Sequence, residues 1–327
     1  MNMLSVMVSN RIAPFSAFLF AIISIIASSC TNKGGIVFNK RLSLSESITV
    51  LSDSVYLSGH NLCLVSVGEQ IVVSDYQQGV FVIDQEGQII ESFAKSGNGP
   101  GEVLGCGFLA ISETEDVWVY DEGHRSFLSY RDGQLHSIET PPTDLFISNG
   151  SRFLVKNDSL YFSAVGNKQL VFIIKGGEIV DRVCPVSKYD NLEMPIHSER
   201  HVVKGERSFF VVGLGLPFVE EYSYNGVLLS SFDLMCIPER ARVFKEQQSV
   251  KPNTYFVSTK DAYFNNGFLY LLSASMTDGY HCNEIIVLET TEQGLHYKGK
   301  YRLSNGECYS SICVLDQNKI IALNQQS

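Results

Sequence analysis

The stretch IVVSDYQQGVFVIDQEGQII, residues 71–90, decides the fold once it is laid over VWVYDEGHRSFLSYRDGQLH, residues 117–136. Asp75 falls on Asp121 and Gly87 on Gly133, each 46 positions further on, so one unit has been copied along the chain. The turn glycine continues as Gly177, Gly226 and Gly294, each between two runs rich in β-branched and aromatic residues. A period in the 40s with one hairpin per unit points to propeller blades, small sheets that bury their faces only by stacking on their neighbours.

A two-residue hairpin that follows the right-handed twist of its strands needs positive φ. Asp132-Gly133, Gly176-Gly177 and Asn225-Gly226 adopt it at little cost, and Glu86-Gly87 and Gln293-Gly294 are weaker versions. The flanking runs, such as GVFVID, QLVFIIK and EIIVLE before the turns and QIIESF, EIVDRV and VLLSSF after them, have the residue types and lengths of strands. Five units span roughly residues 60–95, 104–140, 147–185, 203–235 and 254–303, and the tail from Cys308 adds two strands, SSICVLD and KIIALN. The expectation is an all-β, six-bladed β-propeller over residues 36–327. Two strands fall short of a blade, and a radial array must hide its open edge. The segment from Ile36 to Ser58, with the runs GIVFNK and SITVLSDSVYL, is therefore expected to complete the last blade, N-terminal strands closing the ring.

Between Gly226 and Gly294 the spacing widens to 68 residues. The surplus, CIPERARVFKEQQSVKPNT, is polar and compatible with a helix from Glu239 to Gln248, with Pro238 before it and Pro252 after it. It reads as an excursion between the fourth and fifth blades. A short helix across one face is one form of it, and a solvated loop is the plainer one.

The first residues read as an address. Arg11 precedes IAPFSAFLFAIISIIA, 16 residues without charge, which ends in Ala27-Ser28-Ser29-Cys30. The run is short for a membrane span and has the layout of a secretory signal. ASSC resembles the lipobox of bacterial lipoproteins, which implies a signal peptide over residues 1–29, acylation of Cys30 and a tether over 30–35. Each buried acyl methylene contributes about 0.8 kcal/mol, so several chains hold a protein firmly at a membrane. No acidic cluster follows Cys30, which points to the periplasmic face of the outer membrane.

Loss of residues 1–29 removes one charged side chain, Arg11, leaving one fewer than the 25 basic residues against 35 acidic ones, a net charge of −11. With no cluster of lysines or arginines, this argues against nucleic acid as a partner. Beyond Cys30 there are seven cysteines, so at least one is a free thiol, and none forms a CxxC motif. Cys63 and Cys313 lie inside apolar strands, where a small buried thiol is ordinary. An oxidising compartment permits a disulfide, but the sequence does not choose a pair.

The segment SGNGPGEVLGCGFLAISETEDVWVYDEGHRSFLSYRDGQL, residues 96–135, resembles an NHL-type or TolB-like propeller repeat, in which a glycine-proline-glycine loop leads into the innermost strand of a blade. Together with the lipobox, the chain resembles the TolB-like six-bladed β-propeller lipoproteins of Gram-negative bacteria. The resemblance implies a fold and a location more than an activity. Trp118 is followed by Val119, unlike the WD dipeptide of WD40 repeats. In the loop 97–102, Asn98 and Glu102 are ligand-binding candidates, because glycines let backbone N–H groups approach a ligand and Glu102 offers a carboxylate. The plainer reading is a sharp connection in which Glu102 caps neighbouring amides.

The best metal-like cluster is His197-Ser198-Glu199-Arg200-His201, where His197, Glu199 and His201 are the candidate ligands. Pro195 and the Val202-Val203 run place it where a loop enters a strand, and Arg200 adds an adverse charge, so a solvated loop competes with that reading. Asp75 and Asp121 could form part of a ring of carboxylates, or bond the next turn's backbone in Asx turns. No catalytic set and no cofactor is expected. Two functional readings stand. One is a non-enzymatic envelope module, anchored to the membrane by lipid, that binds a protein, peptide or glycan; the other is a metal-assisted hydrolase or lyase on the same propeller.

Overall fold

A computed structural model describes residues 3–8, 38–42, 46–49, 63–148, 150–165, 169–185, 198–249, 256–276, 280–303, 308–316 and 319–324. The five turn glycines all have positive φ, from 76° to 106°. At Asp132-Gly133 and Gly176-Gly177 both turn residues are positive, the primed geometry that keeps twisted strands in register. Each turn joins the third strand of a blade to the fourth. The same chemistry at Asn157-Asp158 and Asn266-Gly267 joins first strands to second ones in the third and fifth blades.

Five blades are antiparallel meanders of consecutive chain. The first comprises Cys63–Val67, Gln70–Asp75, Gly79–Ile83 and Ile89–Phe93. The second comprises Cys106–Ile111, Val117–Asp121, Ser126–Arg131 and Gln134–Glu139. In the third, Leu154–Lys156, Ser159–Val165, Gln169–Lys175 and Glu178–Pro185 are joined by the short Phe146–Ile147. The fourth runs from Arg200–Lys204 through Ser208–Gly213 and Phe218–Ser223 to Leu228–Asp233. The fifth runs from Thr259–Asn265 through Phe268–Ser275 and His281–Thr291 to Gly294–Leu303.

The expected count of six is corrected to these five blades of consecutive chain. The C-terminal hairpin, Tyr309–Asp316 and Lys319–Asn324, supplies only two strands of its own. Strand Met3–Val8 pairs antiparallel with Lys319–Asn324, and Glu46–Thr49, from the run SITVLSDSVYL, pairs with Met3–Val8. The described end of the run GIVFNK pairs elsewhere: Phe38–Leu42 lies parallel to Gly294–Leu303 at the outer edge of the fifth blade. The physical reason is common to both places. An edge strand presents a row of unpaired N–H and C=O groups, and any extended segment within reach satisfies them. Met3–Val8 belongs to the segment read as a leader, whereas Cys30 and the tether lie outside the described residues.

Side chains between adjacent sheets make the core. Val65, Val72, Leu109 and Val119 pack the first blade on the second, and Phe127, Phe153 and Phe162 the second on the third. The C-terminal hairpin packs on both of its neighbours. Tyr309, Ile312 and Ile320 meet Tyr270 and Ile285 of the fifth blade, while Cys313, Ile321 and Leu323 meet Leu64, Val73 and Phe81 of the first. Each fully buried aliphatic or aromatic side chain contributes about 1.5–3 kcal/mol, so these interfaces outweigh any single polar contact. The excursion after the fourth blade is a helix, α1 (Pro238–Ser249), not a solvated loop: its own Arg240, Val243 and Phe244 are buried. Proline as its first residue and Glu239 in its first turn suit a helix start. Among the described residues no helix is long and apolar enough to cross a membrane.

Candidate functional site

The innermost strands converge on a buried polar network. Arg152, just before the innermost strand of the third blade, reaches Asp261 on the innermost strand of the fifth: Nε donates to Oδ1 at 2.5 Å and Nη2 to Oδ2 at 2.7 Å. Nη2 also donates to the carbonyls of Leu64 in the first blade and Ile312 in the C-terminal hairpin, both at 3.1 Å. The Phe108 and Tyr263 rings lie 5.6 and 5.5 Å from the guanidinium carbon. The fourth blade enters through His201, whose Nδ1 accepts from the Arg152 backbone N–H at 3.1 Å. One arginine thus ties the third blade to the first, fourth and fifth and to the hairpin.

Local irregularity aims these groups inward. The strand register slips between Thr259 and Asp261 and between Tyr309 and Ser311, and a bulge of this kind re-aims a side chain. Ser311 Oγ donates to Asp261 Oδ2 at 2.5 Å and itself accepts from the Leu64 N–H at 2.9 Å. The backbone N–H groups of Ile312 and Ala262 donate to Oδ2 and Oδ1, each at 2.8 Å. Asp261 is fully buried and both its oxygens are engaged, which leaves the carboxylate no room to act as a base.

Burial opposes the charge on Arg152, but Asp261 beside it outweighs that and holds the guanidinium above its ordinary range. For His201 burial dominates: Asp261 pulls the other way, Arg152 adds to the depression, and the pKa falls to about 4. The imidazole is therefore neutral near pH 7. Since Nδ1 accepts, the proton sits on Nε2 and points at the Thr259 carbonyl, 3.4 Å away. Cys63 and Cys313, beside the network, are pushed up to about 11 and about 12 by burial and are inert thiols.

The residues singled out in the sequence are scattered relative to this centre. His197 lies outside the described residues, Glu199 is buried, and His201 spends both ring nitrogens on backbone groups. Among the described residues no three His, Cys, Asp or Glu side chains come together as a metal would require. Asn98 is exposed, and Glu102 folds back to accept from the Gly99 N–H at 2.6 Å. A Cβ on Gly97 would lie 2.0 Å from that carboxylate, so the glycine makes space for it. Asp75 accepts from the N–H groups of Gln77 and Gln78 at 2.9 and 3.1 Å; Asp121 accepts from the Leu104 N–H at 3.0 Å and lies 2.6 Å from His124 Nδ1. Both are buried turn-formers. Sequence reasoning passed over Arg152 and Asp261, whose only signal is a charge within or beside an apolar strand.

A second feature is open. A cleft of about 320 Å³ lies between the first two blades. Val72, Val82 and Val117 line it together with Glu91, Asp116, Arg131 and Asp132. The rings of Phe93 and Tyr130 stack in it at 3.8 Å, and the Tyr130 hydroxyl donates to Glu91.

No protein-family model matches this chain, and no curated protein does. Solved structures do. A streptogramin B lyase is similar at a TM-score of 0.52 and 14% identity, over 83% of this chain and 78% of that one. An exported protein of Bacteroides fragilis is similar at 0.51 and 12%, over 80% and 79%. A gluconolactonase from Xanthomonas campestris is similar at 0.51 and 10%, over 81% and 85%. At such identities the likeness establishes the fold, a β-propeller, and nothing finer.

Proposed function

We propose that the protein is a non-enzymatic binding module of the cell envelope, held at the membrane by acyl chains on Cys30, and that it presents a propeller surface to a protein, peptide or glycan. The observation that carries this reading is the saturated axis. Propeller enzymes gather sequence-distant polar groups around a central channel, and here those groups are spent on one another: Arg152 is 5% exposed, and Asp261 and His201 are 0% exposed. Polar groups open to a ligand lie instead at the cleft between the first two blades. Its carboxylates suit cationic side chains, and Tyr130, half-buried beside them, adds an aromatic ring.

The ring completes this proposal. The composite sheet between the fifth blade and the first acts as a sixth blade, as in the TolB-like lipoproteins that the sequence resembles. Cleavage before Cys30 removes Met3–Val8, so Glu46–Thr49 must move onto the bared edge of Lys319–Asn324 to keep the sheet protected. Protein recovered from bacterial envelopes is expected to begin at a diacylated Cys30 and to capture a partner. Charge reversal in the cleft, Glu91→Lys with Asp132→Lys, is expected to abolish capture. An unmodified Cys30, or undiminished capture by that variant, would count against the anchor or the cleft respectively.

The alternative, a metal-assisted hydrolase or lyase, has a parallel in the lyase and gluconolactonase named above, whose likeness is one of fold. The engaged nitrogens of His201 weigh against it. Stoichiometric metal in the purified protein, lost in a His201→Ala variant that remains folded, would favour it over the binding reading.

A further inference from the structure

The fifth blade and the C-terminal hairpin bring together two cysteines that lie 26 positions apart in the chain. Cys282 is the second residue of strand His281–Thr291 and is buried. Cys308 immediately precedes Tyr309–Asp316, the hairpin's inner strand, and is partly exposed. The two thiols hydrogen-bond to each other. Tyr280 frames the pair: its hydroxyl oxygen lies 3.4 Å from Cys282 Sγ and its carbonyl oxygen 3.9 Å from Cys308 Sγ.

We propose that Cys282 and Cys308 form a reversible disulfide that clamps the C-terminal hairpin to the fifth blade. The position gives the bond its consequence, because the hairpin packs on both the fifth blade and the first, where the two ends of the array meet. A covalent tie there locks the circle at the junction made of the fewest consecutive strands.

The chemistry of the two sulfurs is unequal in the way disulfide exchange requires. The hydrogen bond from Cys282 is the main influence on Cys308, and with His281 alongside it overcomes the effect of burial and lowers that thiol to about 5. Cys282 moves the other way, raised chiefly by the same bond and by burial. Burial pushes Cys184 up to about 12 and raises Cys106 as well, as it does Cys63 and Cys313, so these four carry little thiolate at neutral pH. Cys308 attacks one sulfur of a disulfide oxidant, RSSR, forming a mixed disulfide and expelling RS⁻. Cys282 then loses its proton and attacks Cys308 Sγ, expelling the second RS⁻. Two protein thiols are oxidised to one disulfide, the oxidant is reduced to two thiols, and the two protein protons end on them.

The test uses the full chain, equilibrated in oxidised or in reduced glutathione, with thiol counting, peptide mass mapping and thermal unfolding. The oxidised protein should lose two titratable thiols and yield one cross-linked peptide pair containing Cys282 and Cys308. Its unfolding midpoint should lie roughly 5–10 °C above that of the reduced protein. Cys282→Ser and Cys308→Ser should each abolish the difference between the redox states. A cross-link through another pair, no cross-link, or oxidised and reduced midpoints that coincide would overturn the proposal. Mapping on the unaltered protein decides it even where a serine variant does not fold.

Discussion

The axis and the outer cleft are built from the same parts and differ in one variable. Each has an arginine near an aspartate and aromatic rings in the same site: Arg152 and Asp261 with Phe108 and Tyr263 inside, Arg131 and Asp132 in the cleft with half-buried Tyr130 and, behind it, buried Phe93. Inside, the side chains of the pair are 6% and 0% exposed and 2.5 Å apart; outside, the side chains are 57% and 92% exposed and 4.0 Å apart. Burial forces the inner charges to satisfy each other completely, and exposure leaves the outer ones hydrated and available to a partner. Charge chemistry alone therefore does not separate a structural site from a binding one. The degree of saturation does.

The largest expected effect breaks the inner half of the comparison. Asp261→Ala leaves a buried guanidinium without its counter-ion and should cost about 3–5 kcal/mol in urea unfolding. Replacing both partners, Arg152→Met with Asp261→Leu, should recover most of that loss, because a well-packed apolar pair is close to neutral against a buried ion pair. If the double variant is no more stable than Asp261→Ala, the arginine's bonds to Leu64 and Ile312 carry the network instead.

Acid should weaken the same network more gently. The folded pKa of His201, about 4, lies below its ordinary 6.5, so the unfolded chain binds the proton first as pH falls. The stability linked to this group is complete above pH 6.5 and is lost progressively down to pH 4, by about 3 kcal/mol. His201→Gln, which does not titrate, should flatten that part of the pH profile, whatever it does to the stability at pH 7.

Much of this architecture was legible in the sequence, because propeller blades are specified locally. Gly87, Gly133, Gly177, Gly226 and Gly294 marked hairpins that all exist, and the unit boundaries fell within a few residues of the observed blades. The central network was not legible. Arg152, His201, Asp261 and Ser311 come from four separate parts of the ring, carry no shared motif, and meet only because bulges at Asp261 and Ser311 turn those side chains inward. The N-terminal pairing was legible only in part, since an open edge selects for extended backbone and reads side chains weakly. That is how Phe38–Leu42 settles on the fifth blade rather than the last sheet.

The loop 97–102 is a site the sequence offered as a ligand contact. Glu102→Ala removes the bond to the Gly99 N–H and should cost about 1 kcal/mol, the usual worth of a capping carboxylate. A loss several times larger would place this loop with the axis in importance.

The smallest effect on stability is expected at the outer pair, and there it is most informative. Asp132 sits at a hairpin tip, 92% exposed, with Arg131 at the limit of ion-pair distance, so Asp132→Asn should shift unfolding by less than about 0.5 kcal/mol. Glu91→Gln keeps an acceptor for the Tyr130 hydroxyl and should be nearly as mild. Capture of a cationic partner should nevertheless fall in both variants, and should weaken further with added salt, because exposed charges act through a screened field. Stability that holds while binding fails is the signature of an available site. Stability that falls with binding would mean the rim carboxylates serve the fold as Asp261 does, and the distinction between the two regions would collapse.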